Sequence, residues 1–202
     1  MPPITAFILA GGRSARMGSD KAFLQLAGRS LLAHALDLAR AVTPDLRIVG
    51  DPEKFAPFAT VVPDLYPARG PLGGIHAALS NSATDLNLIL AVDLPFLEPR
   101  FLHYLLAEAQ SASATVTVPS AAGHLHPLCA MYRKQFGVIA ERALAAGRNK
   151  VDALFSETPL RILDEQELVT AGFNLSIFRN LNTPEDWQQA KNSLSNVTDQ
   201  QP

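Results

Sequence analysis

The 202-residue chain has a single cysteine, Cys129, so it can form neither an intrachain disulfide nor a cysteine zinc cage. It has little excess of either charge: 17 basic and 19 acidic residues give a net charge of −2. That balance argues against a general binder of nucleic acid or anionic membrane. No apolar run approaches the roughly 18 residues a membrane-crossing helix needs. Met1-Pro2-Pro3-Ile4-Thr5 has none of the basic residues of a secretion signal, so a cytoplasmic protein is the expectation. No internal repeat or low-complexity block interrupts the chain. Two familiar phosphate-binding motifs are also missing. Neither G-x-x-x-x-G-K-[ST] nor G-x-G-x-x-G occurs, which removes the P-loop and the dinucleotide fingerprint.

Hydrophobic residues make up 48% of the chain, which excludes a disordered protein. At about 150 residues per domain, the length favours one domain. We expect it to span residues 1–192, with 193–202 a polar, frayed tail. Short apolar runs predict strands at 4–10, 46–50, 60–63, 86–92, 114–118, 128–132 and 160–163. Helical spacing predicts helices at 31–38, 72–79, 101–110 and 136–146. Strands alternating with helices imply a single-domain α/β fold, Rossmann-like, with a mostly parallel sheet covered by helices on both faces. Ligands of such sheets collect at the carboxyl ends of strands. The sequence after Ala10, Val62 and Val92 is therefore of most interest.

The first of these places is a glycine-rich loop, Leu9-Ala10-Gly11-Gly12-Arg13-Ser14-Ala15-Arg16-Met17-Gly18-Ser19-Asp20-Lys21. Gly11 and Gly12 let a ligand approach the backbone, and successive free N–H groups there would form an anion-binding concavity. Arg13, Arg16 and Lys21 add three cations against one carboxylate, so the expected ligand is a polyphosphate.

Asp93 ends an apolar run. A carboxylate there must be paired, cap a helix or hold a metal. Beside a polyphosphate loop the metal reading is preferred, because Mg²⁺ takes one or two carboxylates plus phosphate oxygens. Asp64 ends the third strand and leads into Gly70-Pro71-Leu72-Gly73-Gly74, whose glycines would admit a flat base or a sugar. A plain connection fits that composition as well. Asp51, after the second strand, is a candidate of the same type. His124, His126 and Cys129 lack the spacing of a zinc site. We read His126 as a loop histidine facing substrate or solvent, and Cys129 as a buried small hydrophobe. Asn180 and Asn182 would share a face in an extended stretch. Thr183-Pro184-Glu185-Asp186 predicts a helix start.

Taken together these segments resemble the molybdenum cofactor guanylyltransferases. Leu9-Ala10-Gly11-Gly12-x-Ser14-x-Arg16-Met17-Gly18-x-Asp20-Lys21-Ala22 looks like that family's signature loop. Asp64 with Gly70-Pro71-Leu72-Gly73-Gly74, Asp93-x-Pro95-Phe96, His126-Pro127-Leu128 and Asn180-x-Asn182-Thr183-Pro184-Glu185 follow in the family's order. The resemblance runs from Ile4 to about Trp187. Cytidylyl relatives usually carry Leu-Ala-Ala-Gly in the first loop, so Leu-Ala-Gly-Gly points to guanine. The family usually has an asparagine after the second strand, where this chain has Asp51.

The resemblance implies GTP and molybdopterin as substrates and Mg²⁺ as cofactor. It implies nucleotide contacts at Leu9, Ala10, Gly11, Gly12, Arg13, Ser14, Lys21, Asp51, Asp64, Gly74 and Asp93, with Lys21 on the phosphates. Asp93 would bind both nucleotide and metal, and Asn180 and Asn182 would lie on the molybdopterin side. Arg16, Lys21 and Asp93 would carry the catalytic electrostatics. A monomer is expected, with molybdoenzyme maturation proteins as its macromolecular partners. The competing readings are another nucleotidyltransferase, forming a cytidylyl-pterin or a sugar nucleotide, and a non-catalytic GTP-binding accessory protein.

Overall fold

The computed structural model describes residues 3–11, 20–181, 183, 186–188 and 190; the expected tail at 193–202 and residues 12–19 of the first loop lie outside them. The central strand β1 (Ile4–Leu9) is buried on both faces. It lies between β4 (Leu46–Val49) and β6 (Leu86–Ala91), parallel to both, with Leu9 in register with Val49 and Ala91. Outside β4 lies β5 (Thr60–Val62), also parallel. Outside β6 comes β9 (Cys129–Arg133), antiparallel to β6 and to its other neighbour β7 (Val116–Ala121). A parallel edge strand, β10 (Leu160–Leu163), completes the order β10-β7-β9-β6-β1-β4-β5. The mostly parallel α/β expectation holds, with β9 reversed within it.

Side chains alternate between two cores along the strands, as the period of two requires. Ile4, Ala6 and Ile8 face one core, where α1 (Leu31–Arg40) and α4 (Pro99–Ser111) bury Leu32, Leu36, Phe101 and Leu105. Phe7 and Leu9 face the other, against α3 (Pro71–Ser80) and α5 (Phe136–Ala145). The four helices form because apolar residues recur at helical spacing, and three of their starts are marked. Ser30 caps α1 by accepting from the Ala33 amide at 3.2 Å, and proline opens both α3 and α4.

Several small elements were not expected. Two hairpins, β2 (Gln25–Leu26) with β3 (Arg29–Ser30) and β7 with β8 (His124–Leu125), turn on Ala27-Gly28 and Ala122-Gly123. Both residues of each turn have positive φ, the type I′ geometry that suits the twist of paired strands. The short helices α2 (Pro52–Phe55), α6 (Asp152–Phe155) and α7 (Glu165–Thr170) fill connections.

Chain order runs β1, β4, β5 to one side and then returns to β6 on the other side of β1. The sheet therefore has a topological switch point between β1 and β6, where a crevice opens at the carboxyl ends. Among the described residues, no helix is long and apolar enough to cross a membrane.

Candidate active site

The crevice holds a cavity of about 220 Å³ whose walls include Leu9, Gly11, Lys21, Gly70, Asp93 and Leu128. Its central feature is a direct ion pair. Lys21 Nζ donates to Asp93 Oδ2 at 2.7 Å, with the two side chains 16% and 20% exposed. The pair is shielded enough to resist screening yet reachable from the cleft. Local structure holds both ends. Asp20 caps the 3₁₀ turn Lys21–Phe23 by accepting from the Ala22 amide at 3.2 Å, which fixes the start of the Lys21 side chain. Asp93 follows β6, and its carbonyl accepts from the Leu181 amide at 3.1 Å. That bond ties the Asn180 segment to the metal-candidate loop. Asn180 itself lines neither this cavity nor the adjoining one, and its buried Oδ1 makes no hydrogen bond among the described residues.

A second, wider cavity of about 670 Å³ adjoins the first and shares Ala10, Gly11, Asp20 and Gly70 with it. Asp51, Phe55, Asp64, Pro67 and Ala68 are among its other walls. Asp51 caps α2, with Oδ1 accepting from the Glu53 amide at 3.0 Å. Asp64 is half-buried, and its Oδ1 accepts from the Tyr66 amide at 2.9 Å. The first turn of α3 closes on this carboxylate: a Cβ at Gly73 would lie 2.9 Å from the Tyr66 carbonyl and 3.1 Å from Asp64 Oδ1. Gly70, at φ +65°, makes the bend that starts that helix.

The structure thus gathers Leu9, Ala10, Gly11, Lys21, Asp51, Asp64 and Asp93 at one crevice. Gly12, Arg13, Ser14, Arg16 and Asn182 lie outside the described residues. Two local contacts bear on the expected roles. The Gly11 amide is not a free anion donor, because it and the Ala10 amide both donate to the Val49 carbonyl at 3.1 Å. Gly74 lines neither cavity; a Cβ there would sit 3.1 Å from Leu9 Cδ2, so the missing side chain lets α3 lie against β1.

Three contributors were missed by the sequence reading. Asp20 borders both cavities, and Lys54 pairs with it at 3.0 Å, an interaction that raises the Lys54 ammonium above its ordinary range. Leu128 reaches the cleft because β9 runs antiparallel to β6, and the Ala91 amide donates to its carbonyl at 2.8 Å. Asp20 and Leu128 stand inside segments that carry the resemblance but had no role assigned, and no signal marked Lys54.

His126 departs from the solvent-facing reading. Its ring stacks on Phe178 at 4.8 Å, and burial lowers its pKa, which favours the neutral form. Cys129 is fully buried, and burial pushes its thiol pKa up, as an inert core residue requires.

Among the described residues no three metal-ligating side chains converge. Asp93 is a half-buried carboxylate paired with Lys21, with Asp20 also on the cavity wall. That donor set fits Mg²⁺, which completes its octahedron with water and phosphate oxygens. It does not fit a structural metal held by protein alone.

The strand order and the strand-end cleft define the class: an open, mostly parallel α/β fold with a ligand cleft at its topological switch point. The chain superposes on the crystal structure of molybdopterin-guanine dinucleotide biosynthesis protein A from Archaeoglobus fulgidus with a TM-score of 0.83, at 27% identity over 95% of this chain and 99% of that one. It is 35% identical over 189 residues to a probable molybdenum cofactor guanylyltransferase of Pelotomaculum thermopropionicum, covering 93% of this chain and 91% of the relative. It is 32% identical over 197 residues to a molybdenum cofactor guanylyltransferase of Desulfosudis oleivorans, covering 96% and 97%. The chain belongs to the MobA-like NTP transferase domain family, whose profile matches residues 6–162.

Proposed function

We propose that this chain transfers GMP from GTP to the terminal phosphate of molybdopterin, giving a guanine dinucleotide form of the cofactor and pyrophosphate. The observation that carries this reading is the Lys21–Asp93 pair at the β1/β6 switch point, with a nucleoside-sized cavity opening beside it. The names of the relatives, which span nearly the whole chain, support the acceptor and the donor base.

In the reaction an oxygen of the acceptor phosphate attacks the α-phosphorus in line. A new phosphorus–oxygen bond forms as the α–β bridging bond breaks, and the electron pair leaves with pyrophosphate. The attacking phosphate is already ionised, so no strong general base is required. The barrier is the approach of anions, which electrostatic stabilisation lowers. Lys21 would move from Asp93 to the phosphates, joined by Arg13 and Arg16. Asp93 would hold Mg²⁺, which when bound neutralises phosphate charge and polarises the phosphoryl group. Leu9, Ala10, Gly11, Asp51 and Asp64 would border the nucleoside. Gly12 and Ser14 would border the phosphates, and Asn180 and Asn182 the pterin.

The test is to incubate the purified protein with Mg²⁺, molybdate-loaded molybdopterin and each of GTP, CTP and ATP, following pyrophosphate and pterin product together. A guanine dinucleotide formed with GTP alone supports the reading. Product with CTP instead moves the chain to cytidylyl transfer, and nucleotide binding without pyrophosphate release makes it a binding protein.

A further inference from the structure

The walls of the two cavities carry a charge imbalance that a polyphosphate site must offset. Among the described residues, Asp20, Asp51, Asp64 and Asp93 border them against only two cations, Lys21 and Lys54. Lys21 pairs with Asp93. Asp51 and Asp64 each give one oxygen to a backbone amide, of Glu53 and of Tyr66. Asp20 differs, because it borders both cavities and stands on the same wall as Lys21 and Asp93, where phosphate charge would gather. Its Oδ1 caps the turn Lys21–Phe23, and its Oδ2 accepts from Lys54 Nζ at 3.0 Å. The Asp20 and Lys54 side chains are 25% and 50% exposed, so their pairing adds little to fold stability. The turn has a second hold on α2, since the Phe23 ring stacks on Phe55 at 5.7 Å. Loss of Lys54 therefore changes the charge beside the cleft and leaves the turn in place.

We propose that Lys54 is a positioning residue for nucleotidyl transfer, acting through Asp20: it holds that carboxylate in an ion pair, so that the triphosphate does not meet a bare anion at the cleft. A magnesium triphosphate still carries net negative charge, and an unpaired carboxylate on the same wall repels it. Lys54 itself makes no contact with the nucleotide in this role. The repulsion acts on the bound ground state and the transition state alike, so its release raises KM rather than lowering kcat. Both side chains reach solvent, so salt screens the effect. The inference rests on the nucleotidyl-transfer reading above and adds to it a residue outside the phosphate loop.

The experiment measures pyrophosphate release by wild type, Lys54→Met, Lys54→Arg and the double variant Asp20→Asn/Lys54→Met. The varied substrate is the Mg²⁺-nucleotide that wild type uses, GTP on the reading above, with molybdopterin saturating. Asparagine at position 20 still caps the Ala22 amide but carries no charge. At low salt Lys54→Met should raise the nucleotide KM about fivefold, with kcat within about twofold of wild type. The KM ratio should fall to about twofold or less in about 0.5 M salt, where the Debye length is about 4 Å. Lys54→Arg should behave as wild type. The double variant should return to within about twofold of wild type, a rescue that no loss of structure would produce. An active wild type with an unchanged KM in Lys54→Met overturns the role and leaves the transfer reading standing. A rise that persists at high salt or in the double variant also overturns it, by placing Lys54 on the nucleotide or in the fold. Wild type that releases no pyrophosphate with GTP, CTP or ATP overturns the transfer reading and this inference together.

Discussion

Lys21 and Asp93 cannot both keep their 2.7 Å contact and serve a magnesium triphosphate without rearranging. Each partner shields the other's charge until the substrate arrives, so removing one should expose the other. Asp93→Ala should lower kcat at least about 100-fold, the scale of a lost electrostatic stabiliser, with the circular dichroism spectrum intact. Near-normal turnover with Mg²⁺ as sole metal would remove Asp93 from the mechanism. Lys21→Met should act in two opposite ways. GTP affinity should fall, while Mn²⁺ binding to the nucleotide-free protein, followed by electron paramagnetic resonance, should tighten because a competing cation is gone. Weaker Mn²⁺ binding in that variant would mean the lysine supports the metal site rather than occupying it. Asp93 stood out in the sequence because it carries charge at the end of an apolar strand, and Lys21 because it is one of three cations in a glycine-rich loop. Asp20 and Lys54 did not, since their ion pair joins residues 34 positions apart and leaves no local trace.

At the scale of elements, visibility tracked length and marking. The buried runs at Ile4–Leu9 and Leu86–Ala91 read as strands because each is a continuous apolar stretch with a polar stop. The helix start at Thr183 was also readable, and the structure has the reciprocal bonds. Thr183 N donates to Asp186 Oδ2 at 2.8 Å, and Asp186 N donates to Thr183 Oγ1 at 3.1 Å. Thr183→Ala should destabilise the protein by about 1 kcal/mol, seen as a lower urea midpoint. The hairpins were invisible because their turns carry alanine where Asn-Gly would have signalled type I′. That alanine is also costly. Ala27 sits at φ +50°, a conformation in which L residues other than asparagine and aspartate are strained. Ala27→Asn should therefore stabilise the fold by about 0.5–1 kcal/mol, or raise Tm by roughly 1–4 °C. An unchanged or lower Tm would show that the turn is not strained. The helices α2, α6 and α7, of four to six residues, are too short for periodicity to reveal.

For the whole molecule, strand direction was the main feature the sequence left open. A buried strand reads alike in either direction, so the reversal of β9 could not be anticipated, and with it the delivery of Leu128 to the cleft. One network joins three distant elements. Arg161 on β10 pairs with Glu108 on α4 at 2.7 Å and with Glu167 on α7, and Tyr104 donates to Glu167 at 2.8 Å. Burial and the Glu167 carboxylate push the Tyr104 phenol up to about 12. The Arg161 guanidinium holds the Glu167 carboxyl below its usual range, against an opposing push from burial. A depressed folded-state pKa contributes stability that is fully present above the ordinary value of 4.5 and is lost as pH falls through the lower folded value. Arg161→Gln should consequently flatten the fall in stability between about pH 5 and 3. Urea melts with the wild-type slope in that window would dismiss the coupling.

The reversed strand also has a kinetic consequence. β1, β4, β5 and β6 can assemble in chain order, but β9 must insert between β6 and β7, and the Leu181 amide must still find the Asp93 carbonyl 88 residues back in the chain. Contacts between segments so far apart form slowly, because loop closure precedes their reward. A refolding chain should thus regain its helical signal well before it regains a nucleotide cleft. The interval between far-ultraviolet signal and binding of a fluorescent GTP analogue in a stopped-flow trace would measure how late the seam closes. A chain caught in that interval would be compact and largely helical yet blind to its substrate.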